Sequence, residues 1–204
     1  MFEELKLNED LTIFTSTITD IDNTMLVKDL EFSCEISKTA YGGYNDSSVG
    51  IQNRDLVTSK NISNLKSAIN DKIISFFNLT DDYICFYDNW VFISDNDNTK
   101  SVYHNHIGEG NDIFIKELPE WTFIYYAQMP NNLKGDDGVL YFKTKKGEEV
   151  SVLPKENQII LFKADILHRP QVFKNSTKKR VAFACNVTIL NRDKTYNKKI
   201  KTLL

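Results

Sequence analysis

"SVYHNHIGEG", residues 101–110, carries two of the three histidines of this 204-residue chain, His104 and His106, with one residue between them. In a β-strand, residues i and i+2 share a face, so the stretch read as a strand projects both imidazoles the same way. The third, His168, follows 62 residues after His106. Whether it meets the pair depends on what kind of chain lies between, and that question decides the fold.

Working outward, the texture from residue 82 onward is that of short strands. "DYICFYDNWVFISD", "WTFIYYAQM", "GVLYFKTKKG", "EEVSVLP", "NQIILFKA" and "KRVAFACNVTIL" are rich in Val, Ile, Tyr, Phe and Thr and are separated by clusters such as "MPNNLKGDDG". Six to eight strands at this spacing predict an antiparallel barrel or sandwich. Before residue 82 the pattern differs. "LTIFTSTITD" (11–20) alternates and predicts a strand. "NTMLVKDLEFSCEIS" (23–37) predicts a helix, with Met25, Leu26, Leu30 and Phe32 near helical spacing. "AYGGYNDSSVG" (40–50) reads as turn chemistry. In "SKNISNLKSAINDKIISFFNLT" (59–80), Ile62, Leu65, Ile69, Ile73 and Phe77 recur at three- and four-residue steps, which predicts an amphipathic helix packed on a sheet. The expected class is α+β, mainly β, with no repeat or linker to divide it. One domain over 1–204 is expected: N-terminal support (1–80), a β core (82–190) and a tail (191–204).

Composition narrows the function classes. Hydrophobic content of 41% and charged content of 26% are those of an ordinary globular chain. A formal net charge of −3 gives no reason to expect a nucleic-acid partner. The basic tail "RDKTYNKKIKTLL" (192–204) reads as a solvated segment. The start of the chain lacks a basic region followed by an apolar one, so no secretory signal is expected, and no apolar run reaches the ~18–20 residues of a membrane span. Cys34, Cys85 and Cys185 are odd in number and form no CxxC, as expected of reduced thiols in the cytoplasm.

Imidazole is a good ligand for zinc, copper, nickel and iron(II), and three protein ligands on one side of a metal leave positions open for substrate and oxygen. A His-x-His pair also occurs on exposed strands, where the rings are ordinary polar residues, so the surroundings must decide. Twelve residues after His168, in "KKRVAFACN", comes Arg180, a side chain suited to a two-point grip on a carboxylate.

From about Trp90 to Asn186 the chain resembles the iron(II)- and 2-oxoglutarate-dependent oxygenases. A His motif at the end of a strand is followed by the Tyr-Tyr strand "WTFIYYAQMP" and the Gly-x-Leu-x-Phe of "GVLYF". Then come Pro154 and Phe162 on the strand leading to His168, and finally Arg180. The resemblance implies a double-stranded β-helix (jelly-roll) core with N-terminal packing helices. It implies that His104 and His168 hold iron(II), that Arg180 binds the distal carboxylate of 2-oxoglutarate, and that Tyr126 hydrogen-bonds the same carboxylate while Tyr125 packs on the other side. Against the ordinary reading of Tyr126 as a core aromatic, that role stays open.

The departure lies at His106, where the family usually has Asp or Glu. His106 is either the third ligand itself, or a first motif His followed by a halide position as in halogenating members, or a bystander to Asp112 or Glu109. A third imidazole in place of a carboxylate raises the charge at the metal by one unit and weakens its retention. Trp90 and Asn186 fall where the family lines the substrate side or the strand ends, with packing and turn capping as the competing reading. Arg169 and Pro170 flank the distal His and are expected to shape the site mouth, and Gly138 serves a turn. Loop 107–120 and the turn around 40–55 are candidates for a lid.

The activity implied is oxidation of a C–H bond, most often hydroxylation, using O2 and converting 2-oxoglutarate to succinate and carbon dioxide. The substrate implied is a peptide or protein side chain, or a small metabolite. Two other classes are weighed: a cupin-like three-histidine dioxygenase without 2-oxoglutarate, which needs no Arg180, and a non-catalytic β-sandwich binding domain with incidental histidines. A contiguous "HNH" is not the nuclease motif, whose letters are spread through a ββα unit.

Overall fold

The computed structural model describes residues 1–38, 44–47, 50–99, 102–107 and 120–192. In chain order the elements are β1 (Glu3–Lys6), β2 (Thr12–Thr17), α1 (Asn23–Ser37), β3 (Tyr44–Ser47), β4 (Gly50–Asn53), α2 (Lys60–Phe77), β5 (Tyr83–Ser94), β6 (Trp121–Gln128), β7 (Leu140–Lys143), β8 (Glu149–Val152), β9 (Gln158–Lys163), β10 (His168–Pro170) and β11 (Arg180–Asn191). They form an eight-stranded sheet in the order β1-β2-β9-β6-β11-β5-β4-β3 and a three-stranded sheet in the order β10-β7-β8. Every pairing is antiparallel. The described residues are mainly β, with two helices.

Period two explains how the layers stack. In the central strands the odd-numbered side chains, among them Val91, Ile93, Phe123, Tyr125, Ile159, Leu161, Val181, Phe183 and Cys185, share one core with Leu26, Leu30, Ile62, Leu65, Ile69 and Ile73 of the two helices. The even-numbered Tyr126, Ile160, Phe162 and Ala182 pack in a second core with Leu140 and Phe142 of the small sheet. The large sheet is therefore covered on both faces, which is why β11 is buried without interruption from Arg180 to Thr188. Arg180 falls in the even set and so faces the small sheet.

Helix boundaries follow local chemistry. The Asp22 carboxylate accepts from the Met25 amide at the start of α1, and the Ser59 hydroxyl accepts from the Ile62 amide at the start of α2. Asn78, with φ 50°, closes α2 in the left-handed conformation that Asn tolerates. Burial of Ile62, Leu65, Ile69 and Ile73 along one stripe stabilises α2 by roughly 1.5–3 kcal/mol per side chain.

Three local expectations are corrected. Residues 40–50 are not only turn: Tyr44–Ser47 pairs with Gly50–Asn53, and this hairpin extends the large sheet through β5. In α1, Met25 and Phe32 are exposed (43% and 53%) while Val27 and Cys34 are buried, because the buried stripe is 26-27-30-34. The stretch around His104 is not a strand but a single bridge, His104 to His168. In the first third of the chain, β1, β2, β3 and β4 belong to the large sheet. Among the described residues no helix is long and apolar enough to cross a membrane.

Candidate metal centre and its cavity

The bridge replaces the expected strand and does the same work. His104 N donates to His168 O at 3.0 Å, His168 N donates back to His104 O at 2.9 Å, and His106 N donates to Ala164 O at 2.9 Å. The segment is extended enough to turn His104 and His106 to one side, where His168, the first residue of β10, meets them. One ligand atom from each ring lies within 4.8 Å of the others. The three histidines come from stretches 62 residues apart and converge where the small sheet closes on the large one.

Hydrogen bonds to carbonyls fix two of the rings. His168 Nδ1 donates to Ile166 O at 3.0 Å and His104 Nδ1 to Val102 O at 3.2 Å, which leaves each Nε2 with a free lone pair. His106 Nε2 stands 3.2 Å from His168 Nε2. At that spacing two lone pairs repel unless a proton or a cation lies between them. His106 Nδ1 is buried and has no partner. Burial, with the neighbouring charges of His104 and Arg54, pushes the His106 pKa down to about 3. Burial, with His104 and His106, holds His168 well below its usual value. Neutral imidazoles with inward lone pairs suit a borderline divalent cation such as iron(II), zinc or nickel, so the residues present fit a metal.

The rings are packed on both sides. His106 and His168 are stacked with 9° between their planes and centroids 5.0 Å apart, and Trp90 stacks on His106 at 5.3 Å. Phe162 meets His168 edge-on at 4.7 Å. On the solvent side Arg54 lies 5.1 Å above Trp90 and is paired with Asp88.

A cavity of about 60 Å³ opens beside the histidines. By the same measure a single water needs only ~10–15 Å³, so the space takes a small ligand. His104, His106, His168, Tyr126 and Arg180 all line it, together with Gln52, Trp90, Phe92, Thr122 and Pro170. Arg180 is 2% exposed and is held by neutral groups: Nε donates to Ser94 Oγ at 3.1 Å and Nη1 to Gln171 O at 3.0 Å. Phe92 and Phe173 flank the guanidinium at 5.7 and 5.8 Å. Among the described residues no carboxylate forms an ion pair with it. Burial lowers its pKa to about 10, which leaves it charged at neutral pH. A buried cation needs a counter-charge, and the remaining N–H donors of the fork are directed by a scaffold of neutral acceptors. Tyr126 pairs with Ala182 across the β6–β11 ladder, on the Arg180 side of the sheet. Burial raises its pKa, which the nearby Arg180 charge partly offsets.

Of the other singled-out residues, Tyr125 packs in the helix-side core and its hydroxyl donates to Asn23 Oδ1 at 2.7 Å. Asn186 accepts a hydrogen bond from Thr122 at 3.0 Å. Pro170 lines the cavity, whereas Arg169 points to the far side of the small sheet against Tyr141. Gly138, with φ 73°, sits in the turn before β7. Glu109, Asp112, the body of loop 107–120 and the tail from 193 lie outside the described residues, as does most of the turn 40–43 and 48–49. Sequence reasoning missed Gln52, Phe92, Thr122, Ser94, Gln171 and Phe173. The signal for Ser94 was register: a small polar residue buried opposite Arg180 at the end of β5.

No family model matches the chain, and no curated protein matches it. Solved structures do. The viral collagen prolyl hydroxylase of Paramecium bursaria Chlorella virus-1, in its 2OG complex, is 15% identical with a TM-score of 0.57, over 86% of this chain and 94% of that one. A Pseudomonas putida prolyl-4-hydroxylase is 13% identical with a TM-score of 0.54, over 85% and 91%. HygX from Streptomyces hygroscopicus, with nickel and 2-oxoglutarate bound, is 12% identical with a TM-score of 0.56, over 86% and 81%. The chain has the fold of these proteins.

Proposed function

We propose that this chain is an iron(II)- and 2-oxoglutarate-dependent oxygenase, a single domain built on a double-stranded β-helix. The observation that carries the reading is one cavity lined both by three convergent imidazoles and by a buried guanidinium without a carboxylate partner among the described residues. His104, His106 and His168 would hold the metal. Of the three readings of His106, third ligand is favoured by its 3.2 Å approach to His168. Iron bound there supplies the activation of O2, coupled to conversion of 2-oxoglutarate to succinate and to oxidation of a C–H bond.

The residues of the chain do the rest. Arg180 anchors the distal carboxylate of the diacid by charge-assisted hydrogen bonds, in surroundings dry enough to make them strong. Tyr126 adds a neutral phenol on the same side. Phe92, Ile124, Leu140 and Ala182 exclude water from the space between. Trp90 and Phe162 fix the planes of His106 and His168. The substrate is a peptide or protein side chain, the first choice given the prolyl hydroxylases of like fold, or a small metabolite. Arg180 favours this reading over a cupin-like dioxygenase that uses no diacid, for which turnover would survive Arg180→Ala.

Anaerobic addition of iron(II) and then 2-oxoglutarate tests the proposal. A weak visible charge-transfer band is expected from the wild type and is lost in His106→Ala. Wild-type protein that never develops the band overturns the oxygenase reading.

A further inference from the structure

On the outer face of the small sheet, turned away from the cavity, lies a cluster for which the proposed chemistry has no use. Tyr103 precedes His104 and Arg169 follows His168, so alternation points both outward. The Arg169 guanidinium lies 5.0 Å from the Tyr103 ring centre and 4.2 Å from that of Tyr141, and Lys143 Nζ is 4.5 Å from the Tyr103 ring. The Tyr103 hydroxyl donates to Glu149 Oε1 at 2.8 Å, while Glu149 Oε2 lies 3.8 Å from Arg169 Nη2. One aromatic ring is thereby tied to β10, β7 and β8 at once. In its described residues, 102–107, the segment is otherwise tied by three backbone hydrogen bonds to His168 and Ala164: the His104–His168 bridge is isolated, and a lone pair of extended chains is marginal in water.

We infer that Tyr103 and Arg169 are positioning residues that lock the chains carrying His104 and His168 in register from outside, and so set the mutual placement of the imidazoles for a metal. This rests on the metal reading proposed above. The two candidate ligands are each covalent neighbours of a clamp residue, so slippage of the clamp by one position would turn an imidazole out of the cavity. Removing the ring frees the segment without touching a ligand. Outer groups that orient metal ligands typically contribute ten- to a hundredfold to affinity.

Cobalt(II) titration of the metal-free protein, followed by its visible absorption, is run alongside hydrogen exchange at the His104 and His168 amides. Tyr103→Ala is expected to weaken cobalt binding about tenfold or more, to alter the absorption band and to speed exchange at both amides. Tyr103→Phe keeps the ring between the cations and loses only the hydroxyl's hydrogen bonds, to Glu149 and to Arg169, so it recovers most of the affinity. Arg169→Gln is expected to fall between them, and the Phe and Gln variants carry the test if the Ala variant does not fold. Wild-type affinity, band and exchange in Tyr103→Ala and Arg169→Gln overturn the inference and leave the metal reading intact. Faster amide exchange in a protein whose wild type takes up no cobalt supports the lock and overturns the metal reading instead.

Discussion

Arg180 and Ser94 face each other in the β5–β11 ladder, and the guanidinium Nε donates to the Ser94 hydroxyl at 3.1 Å. With Gln171 O on Nη1, this hydrogen bond aims the guanidinium fork into the cavity. Arg180→Lys keeps the charge but not the planar fork. It is expected to weaken 2-oxoglutarate binding to the cobalt(II)-loaded protein by on the order of ten- to a hundredfold in calorimetry. Ser94→Ala releases one restraint while the guanidinium stays, and should cost about five- to tenfold, less than the direct loss of a hydrogen bond to a charged group. Unchanged binding in Arg180→Lys would show that the diacid, if it binds, binds elsewhere.

Because the three imidazoles meet only in the folded chain, a metal that binds them must raise stability. At a free concentration about a hundredfold above its dissociation constant, the gain is ~2.7 kcal/mol. For a chain of this size that corresponds to a rise in Tm of about 5–10 °C. Cobalt(II) or zinc should produce this shift in wild-type protein, a chelator should reverse it, and His104→Ala should abolish it. A shift that persists in His104→Ala would place the metal outside the cluster.

How far the sequence led can be judged from particular stretches. Period two in "WTFIYYAQM" separates Tyr125 from Tyr126, and the two pack in different cores. The α2 stripe is equally plain, since both its spacing and its caps are local. The His104 region was legible in outcome and not in kind: the rings point together because the backbone is extended, although only one bridge holds it. The hairpin of β3 and β4 was hidden because Gly, Asn and Ser dominate its residues, and its pairing comes from the exposed edge of β5 rather than from its own propensity. Ser94, Gln171 and Phe173, which seat Arg180, depend on cross-strand register and on a loop returning over the sheet. No single stretch encodes that meeting.

Alkaline pH offers a test of the helix-side core. Burial raises the Cys34 thiol from 9.0 to about 11, and burial with the Asp88 charge lifts Cys185 well above 9.0. Below pH 9 both thiols keep their protons whether folded or unfolded. Above it the unfolded chain releases protons that the native state retains, so stability falls as pH rises. For Cys185 alone the slope approaches ~1.4 kcal/mol per pH unit. Urea midpoints should be level from pH 7 to 8.5 and decline from pH 9 to 11, with a shallower decline in Cys185→Ala. A midpoint that does not move up to pH 11 would mean that these thiols are not sealed in the native core.

Tyr125 and Tyr126 are chain neighbours with opposite tasks, and one methodical pair of variants separates them. The Tyr125 hydroxyl donates to Asn23 Oδ1 at 2.7 Å and approaches Asn157 Oδ1 at 3.3 Å, which ties β6 to the start of α1 and to the turn before β9. Tyr125→Phe takes the donor from Asn23 Oδ1, while Asn157 Oδ1 still accepts from Asn23 Nδ2, and should lower stability by about 1 kcal/mol in urea unfolding, with 2-oxoglutarate affinity unchanged. Tyr126 lines the cavity beside Arg180, so Tyr126→Phe should leave the urea midpoint near that of the wild type while weakening the diacid several-fold. The two effects are read on separate instruments, and each variant serves as the control for the other. If Tyr126→Phe lost stability and kept its affinity, the phenol would be a core group like its neighbour, and Arg180 would have to hold the carboxylate without it.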